Sequence, residues 1–235
     1  MIEQVDFLVR MIAMGAALML MAQVVAGDMN EKLKFPMVAM IIGVMAYLIE
    51  SSNLMVADSP IDPWINLVAI ATPFWIWLVA RRMFDFEPER RLALAALAAL
   101  LIGWVVDNFV PGSGQLGFYL LHVISLVLIG DLLRLGMQIR KQGSGRDRGT
   151  IRLTLPLLIG ELAGVVLLTE MIGGSAILHP MLSLASGILI LMLALFAGLA
   201  MLRTEPELLG TIRPYSPASK PDASNGETSE ETKRK

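Results

Sequence analysis

Apolar runs recur along the chain at 7–27, 35–50, 64–80, 92–110, 116–135, 153–172 and 176–202, separated by short polar connections. Each is about long enough for a helix to cross a hydrocarbon core of ~30 Å. The pattern predicts an all-α integral membrane protein, a bundle of seven transmembrane helices. The second run is the shortest and ends in Glu50. Lysine and arginine fall in alternate connections only. Lys32 and Lys34 follow the first run, Arg81, Arg82, Arg90 and Arg91 the third, and Arg134, Arg140, Lys141, Arg146, Arg148 and Arg152 the fifth. The connections after the second, fourth and sixth runs carry none, so the positive-inside rule puts the N-terminus outside and the C-terminus in the cytoplasm. The start "MIEQVDFLVR" is acidic where a cleavable signal needs a basic segment, so the first span is expected to remain in the mature protein. A multi-pass protein of a cell membrane, the bacterial inner membrane, is the expected setting.

Composition agrees with that reading. Of 235 residues, 55% are hydrophobic and 17% charged, with mean hydropathy +0.65, far from a soluble domain of this size. There is no cysteine, which excludes disulfides, thiolate metal sites and cysteine nucleophiles. Past about Thr204 the chain turns to Pro, Ser, Glu and Lys, a composition that cannot offset the entropy of ordering. The expected organisation is a seven-helix transmembrane domain over 1–209 and a disordered cytoplasmic tail over 210–235.

Ionisable residues inside apolar runs carry the functional signal, because they are costly in lipid and usually face a bundle interior or a watery cavity. Under the topology above, Arg10, Glu50, Asp107, His122, Glu170 and His179 all fall in the outer half. A pocket open to the outside is expected from Arg10, Asp107, His122, Glu170 and His179. Those nearest span ends also fit ordinary interface positions, while Arg10 and His122 lie deeper. Glu161 is ~13.5 Å along its helix from Arg152, too deep to reach water easily, and is expected inside the bundle in packing or coupling. Asp131 and Arg134, three apart, have the spacing of a same-face ion pair. Trp64 and Trp104 read as outer interfacial anchors.

Several chemistries fail against this inventory. A retinal protein needs a lysine in the last span, and "ILHPMLSLASGILILMLALFAGLAMLR" has none. The two histidines, His122 and His179, lack a surrounding haem-pocket pattern, and with Asp107 they match no local zinc motif. "PGSGQ" lacks the strand and helix context of a phosphate loop. No cofactor, metal site or enzymatic activity is expected.

The order "TPFWIWLVARRMFDFEPERR", "LLHVISLVLIGDLLR", "LLIGELAGVVLLTEMIGG" and "LRTEPELLG" resembles the N-terminal seven-helix sensor region of membrane-bound AraC-type transcriptional regulators, over most of 35–209. The matching positions are Pro73, Phe74 and Trp75 in the third helix, Phe84 and Asp85 in the turn after it, His122 in the fifth helix and Glu161 in the sixth. The resemblance implies a membrane sensor that passes its signal to the cytoplasm, with Pro73, Phe74 and Trp75 as structural aromatic and proline positions; Glu161, lying along its span between the expected pocket and the turn with Phe84 and Asp85, is expected to couple the two. Those regulators continue into paired helix-turn-helix units. Here the seventh run leads into the polar tail, so direct nucleic-acid binding is not expected and a cytoplasmic regulatory protein would be the partner. The alternative is a small proton- or ion-coupled transporter using intramembrane acids, although no internal repeat divides the chain into halves. The basic segment 136–152 is a candidate docking surface, and positive charge beside anionic lipid is its simpler role.

Overall fold

A computed structural model describes residues 2–27, 29–52, 60–141, 150–173 and 180–203. The described residues form helices α1 (Ile2–Ala26), α2 (Glu31–Glu50), α3 (Asp62–Ile70), α4 (Thr72–Met83), α5 (Arg90–Phe109), α6 (Gly114–Lys141), α7 (Thr150–Gly173) and α8 (Pro180–Arg203), with no strand among them. Six helical stretches are long and apolar enough to cross a membrane, with α3 and α4 counted as one, and α8 contributes a shorter apolar stretch, Ser183–Leu199. The outer surface is apolar to match. Met19, Ile102, Val127, Ile172 and Met192 are each 60% or more exposed, which suits lipid and not water. The chain is a multi-pass helical membrane protein. The tail 210–235, His179 and residues 142–149 of the basic segment lie outside what the structure describes.

The third apolar run is not one straight helix. Pro73 has no N–H to give and its ring crowds the preceding turn, so the chain breaks at Ala71 between α3 and α4. The interruption is slight, because Ala71 keeps near-helical angles and its carbonyl still accepts from the Trp75 N–H at 3.2 Å. Past the break, α4 is the most enclosed element. Phe74, Ile76, Trp77, Leu78, Val79 and Ala80 are all buried. Phe74 meets the Trp75 ring edge-on at 5.1 Å, and Trp75 meets Phe35 at 5.6 Å. Around this rod stand α2, α6 and α7, while α8 packs mainly on α1 and only sparsely on α7, its neighbour in sequence.

Lipid tails are as apolar as leucine, so helix association here depends on close packing at small residues. A Cβ on Gly160 would lie 2.8 Å from Leu132, and one on Gly136 would lie 2.2 Å from Leu157, which seats α7 on α6. Gly117 of α6 approaches the backbone of α5 at Asp107, where a Cβ would come within 2.5 Å of the Asp107 Cα. Backbone cannot swing aside as a leucine tip can. Gly117→Ala is therefore expected to force α5 from α6 and destabilise the protein by about 1–3 kcal/mol, the usual range for overpacking. A chemical-denaturation midpoint equal to wild type would contradict this.

The connections between α1 and α2 and between α4 and α5 share one end of the bundle and carry the basic residues. The Asn30 side chain caps α2 by accepting from the Lys32 N–H at 3.0 Å. Arg82 donates to the Lys32 carbonyl, and Lys32 pairs with Glu87 at 3.2 Å. Phe84 is buried at the end of α4 while Asp85 is exposed in the left-handed region at φ 61°, which aspartate tolerates better than most residues. At the opposite end, Gly112 takes φ 79° in the turn from α5 to α6.

Candidate ligand cavity and its polar end

Chain direction decides which side chains share a depth. The final turns of α2, α5 and α7 and the early turns of α1, α6 and α8 meet at one end of the bundle, opposite the basic turns. Polar residues collect there in two groups.

The first group is a brace. Arg10 of α1 is only 1% exposed, and each of its five N–H donors has an acceptor. Nε donates to Asp6 Oδ2 at 3.0 Å. Nη1 donates to the Leu48 carbonyl at 3.0 Å and to Ser51 Oγ at 2.7 Å. Nη2 donates to the Ser183 carbonyl at 3.3 Å and to Ser183 Oγ at 2.8 Å. Ser183 Oγ in turn donates to Asp6 Oδ2 at 2.9 Å. One guanidinium thus ties α1 to α2 and α8.

The second group lines a cavity of about 600 Å³, within the range of roughly 300–1,000 Å³ typical of ligand sites. Tyr47, Glu50, Asn66, Asp107, His122 and Glu170 line its polar end. Below them the walls are apolar, with Met40 and Ile41 from α2, Ile76 from α4, Ile159 and Ala163 from α7, and Ala194 from α8. Glu170 is held on both oxygens. Tyr47 Oη donates to Oε1 at 2.6 Å, and His122 Nε2 faces Oε2 at 3.2 Å. On the far side of the ring, His122 Nδ1 stands 2.8 Å from the Phe118 carbonyl. A carbonyl only accepts, so Nδ1 carries a proton and the tautomer is fixed. A hydrogen bond between Nε2 and Oε2 needs one proton shared by the two facing atoms. Glu50 accepts from the Asn66 amide at the cavity mouth.

Of the residues expected in a pocket, Asp107, His122 and Glu170 therefore share one cavity. Arg10 does not join them. Its donors are consumed by Asp6, Ser183, Leu48 and Ser51, one layer behind the wall, and it meets the cavity only through Ser51, which lines it. His179 lies outside the described residues. Glu161 overturns the expectation of an inward position. With Leu158, Val165, Leu168 and Ile172 it forms the exposed stripe of α7, because Gly160 and Gly164 take the contact with α6.

Asp131 also differs from expectation. Its Oδ2 accepts from Arg81 Nη2 at 2.7 Å, Arg81 Nε at 3.1 Å and Trp77 Nε1 at 2.8 Å, so its partner is Arg81 on α4 and not Arg134. The Arg81 guanidinium carbon also lies 5.0 Å from the Trp77 ring centre. Trp104 proves buried, its indole N–H on the Pro63 carbonyl at 2.8 Å, while Trp64 is exposed as expected. Tyr47, Asn66, Ser51 and Thr72 were missed by sequence reasoning. Tyr47 alone had a usable signal, since it stands three residues before Glu50 and so shares its helix face. Compared with known protein families, curated proteins and solved structures, the chain matches none.

Proposed function

We propose that this chain is a seven-span sensor of the bacterial inner membrane, with its N-terminus outside and its C-terminus in the cytoplasm. It would receive a ligand in the cavity and pass the signal to a cytoplasmic regulatory protein. The observation that carries this reading is a ligand-sized cavity with every ionisable lining group among the described residues at one end, connected by α4 to the basic end. Thr72, Pro73 and Ile76 of that helix line the cavity, and Phe84 and Asp85 follow its other end, ~12 Å beyond Ile76 at the helical rise. A buried rod transmits displacement because packed interiors do not absorb it. In this reading α4 takes the coupling role that depth along its helix suggests for Glu161, and Phe84 and Asp85 keep theirs.

Reporter fusions after residues 86 and 144 should be active in the cytoplasm, and fusions after 112 and 174 outside. A fusion at 144 active only outside overturns the orientation. Because the chain has no cysteine, Glu89→Cys provides a single labelling site beside the turn after α4. An environment-sensitive dye there should change its emission when the cavity fills, with no flux of ligand across a vesicle.

A small transporter is the second reading, and one observation favours it. A void of about 20 Å³, lined by Met37 and Met83, continues toward the basic end and shares Met40, Ile76 and Ile159 with the main cavity. Flexible methionines could part there. Ligand flux into vesicles without a dye response would favour transport over sensing.

A further inference from the structure

We propose that the cavity takes an amphiphilic cation, a molecule with an ammonium-type head and an apolar tail; this rests on the reading of the cavity as the receiver. Charge comes first. Among the described residues, the acidic and basic side chains lining the polar end are Glu50, Asp107 and Glu170 against His122 alone. The other nearby cation, Arg10, has all five donors committed behind the wall. An entering anion would meet carboxyl groups and one imidazole already paired with Glu170. An entering cation would find acceptors it can satisfy, with the Phe118 and Tyr47 rings in the same lining to meet its charge.

Shape comes second. Down α7 the lining runs from Glu170 to Ile159, about 16 Å at the helical rise. That sleeve is apolar and suits a tail. The α7–α8 side is the natural route from the bilayer, since both helices contribute lining but touch each other sparsely.

The test uses the full chain in nanodiscs of zwitterionic lipid with three probes of one tail length: dodecyltrimethylammonium, dodecanol and dodecanoate. Tetramethylammonium serves as the tail-less control. Calorimetry should show saturable binding of dodecyltrimethylammonium, roughly tenfold to a hundredfold tighter than dodecanoate, as expected for contacts to charged groups. Ala163→Trp and Ala194→Trp fill the sleeve from opposite helices, and either should abolish saturable binding. The double variant E50Q/D107N should lose the head-group preference while leaving the Tyr47–Glu170–His122 contacts in place. Equal or tighter binding of dodecanoate or dodecanol that is still blocked by tryptophan overturns the cation assignment and leaves the cavity as receiver. Retention of the preference in E50Q/D107N overturns the assignment as well. Saturable binding of any probe that neither tryptophan blocks, in variants that elute as wild type, removes the receiver reading too, as does a failure of every probe to saturate.

Discussion

Arg10→Ala is expected to cost about 3–5 kcal/mol of stability, the range for removing one partner of a buried charge pair. The substitution deletes five hydrogen bonds at once and leaves the Asp6 carboxylate, 15% exposed, without its guanidinium. It also uncouples α8 from α1 and α2 at the Ser183 contact. Arg10→Lys should recover little, because an ammonium is a compact charge that cannot present a planar fork to three helices. Steric-trap or denaturant unfolding in bicelles measures both. A lysine variant as stable as wild type would show that charge alone holds the end of the bundle, and that the geometry of the fork is incidental.

The second large effect concerns response and not folding. His122→Ala removes the group that faces Glu170 Oε2 and the ring stacked 4.0 Å from Phe118. In the sensor reading it should eliminate the ligand-dependent emission change at a Glu89→Cys label. Glu161→Gln should leave that change intact, because Glu161 lies on the exposed stripe of α7 and not between the cavity and α4. Loss of response in Glu161→Gln with retention in His122→Ala would reverse the coupling route and return the signal to α7.

What the sequence revealed depended on whether a feature shows itself in one dimension. Apolar length is such a feature, so the helical runs were legible, and so was the anomaly of Asp107, His122 and Glu170 inside them. Azimuth is less so. Glu161 was placed by depth alone, although its spacing to Leu158, Val165 and Leu168 already marks a shared face. Arg10 was legible as an anomaly, but its role was not, because two of its acceptors are the backbone carbonyls of Leu48 and Ser183, which no side-chain pattern announces. Asp131 was assigned to the local candidate Arg134. In the fold Arg81 wins, since it brings two donors and the Trp77 indole N–H beside it. Hydroxyls such as Ser51, Thr72 and Ser183 are common in membrane helices and carry no signal until a cavity or a guanidinium is seen beside them.

The order of synthesis makes the Arg10 brace one of the last contacts to be completed. Ser183 is separated from Arg10 by 173 residues, an interval of about 10–35 s at ribosomal rates. Until α8 arrives, the Nη2 donors that Ser183 will engage must be met by water, headgroups or an insertase. A nascent chain that lacks α8 therefore holds Arg10 by only three of its five donors, through Asp6, Leu48 and Ser51, and this end of the bundle closes when Ser183 takes the other two.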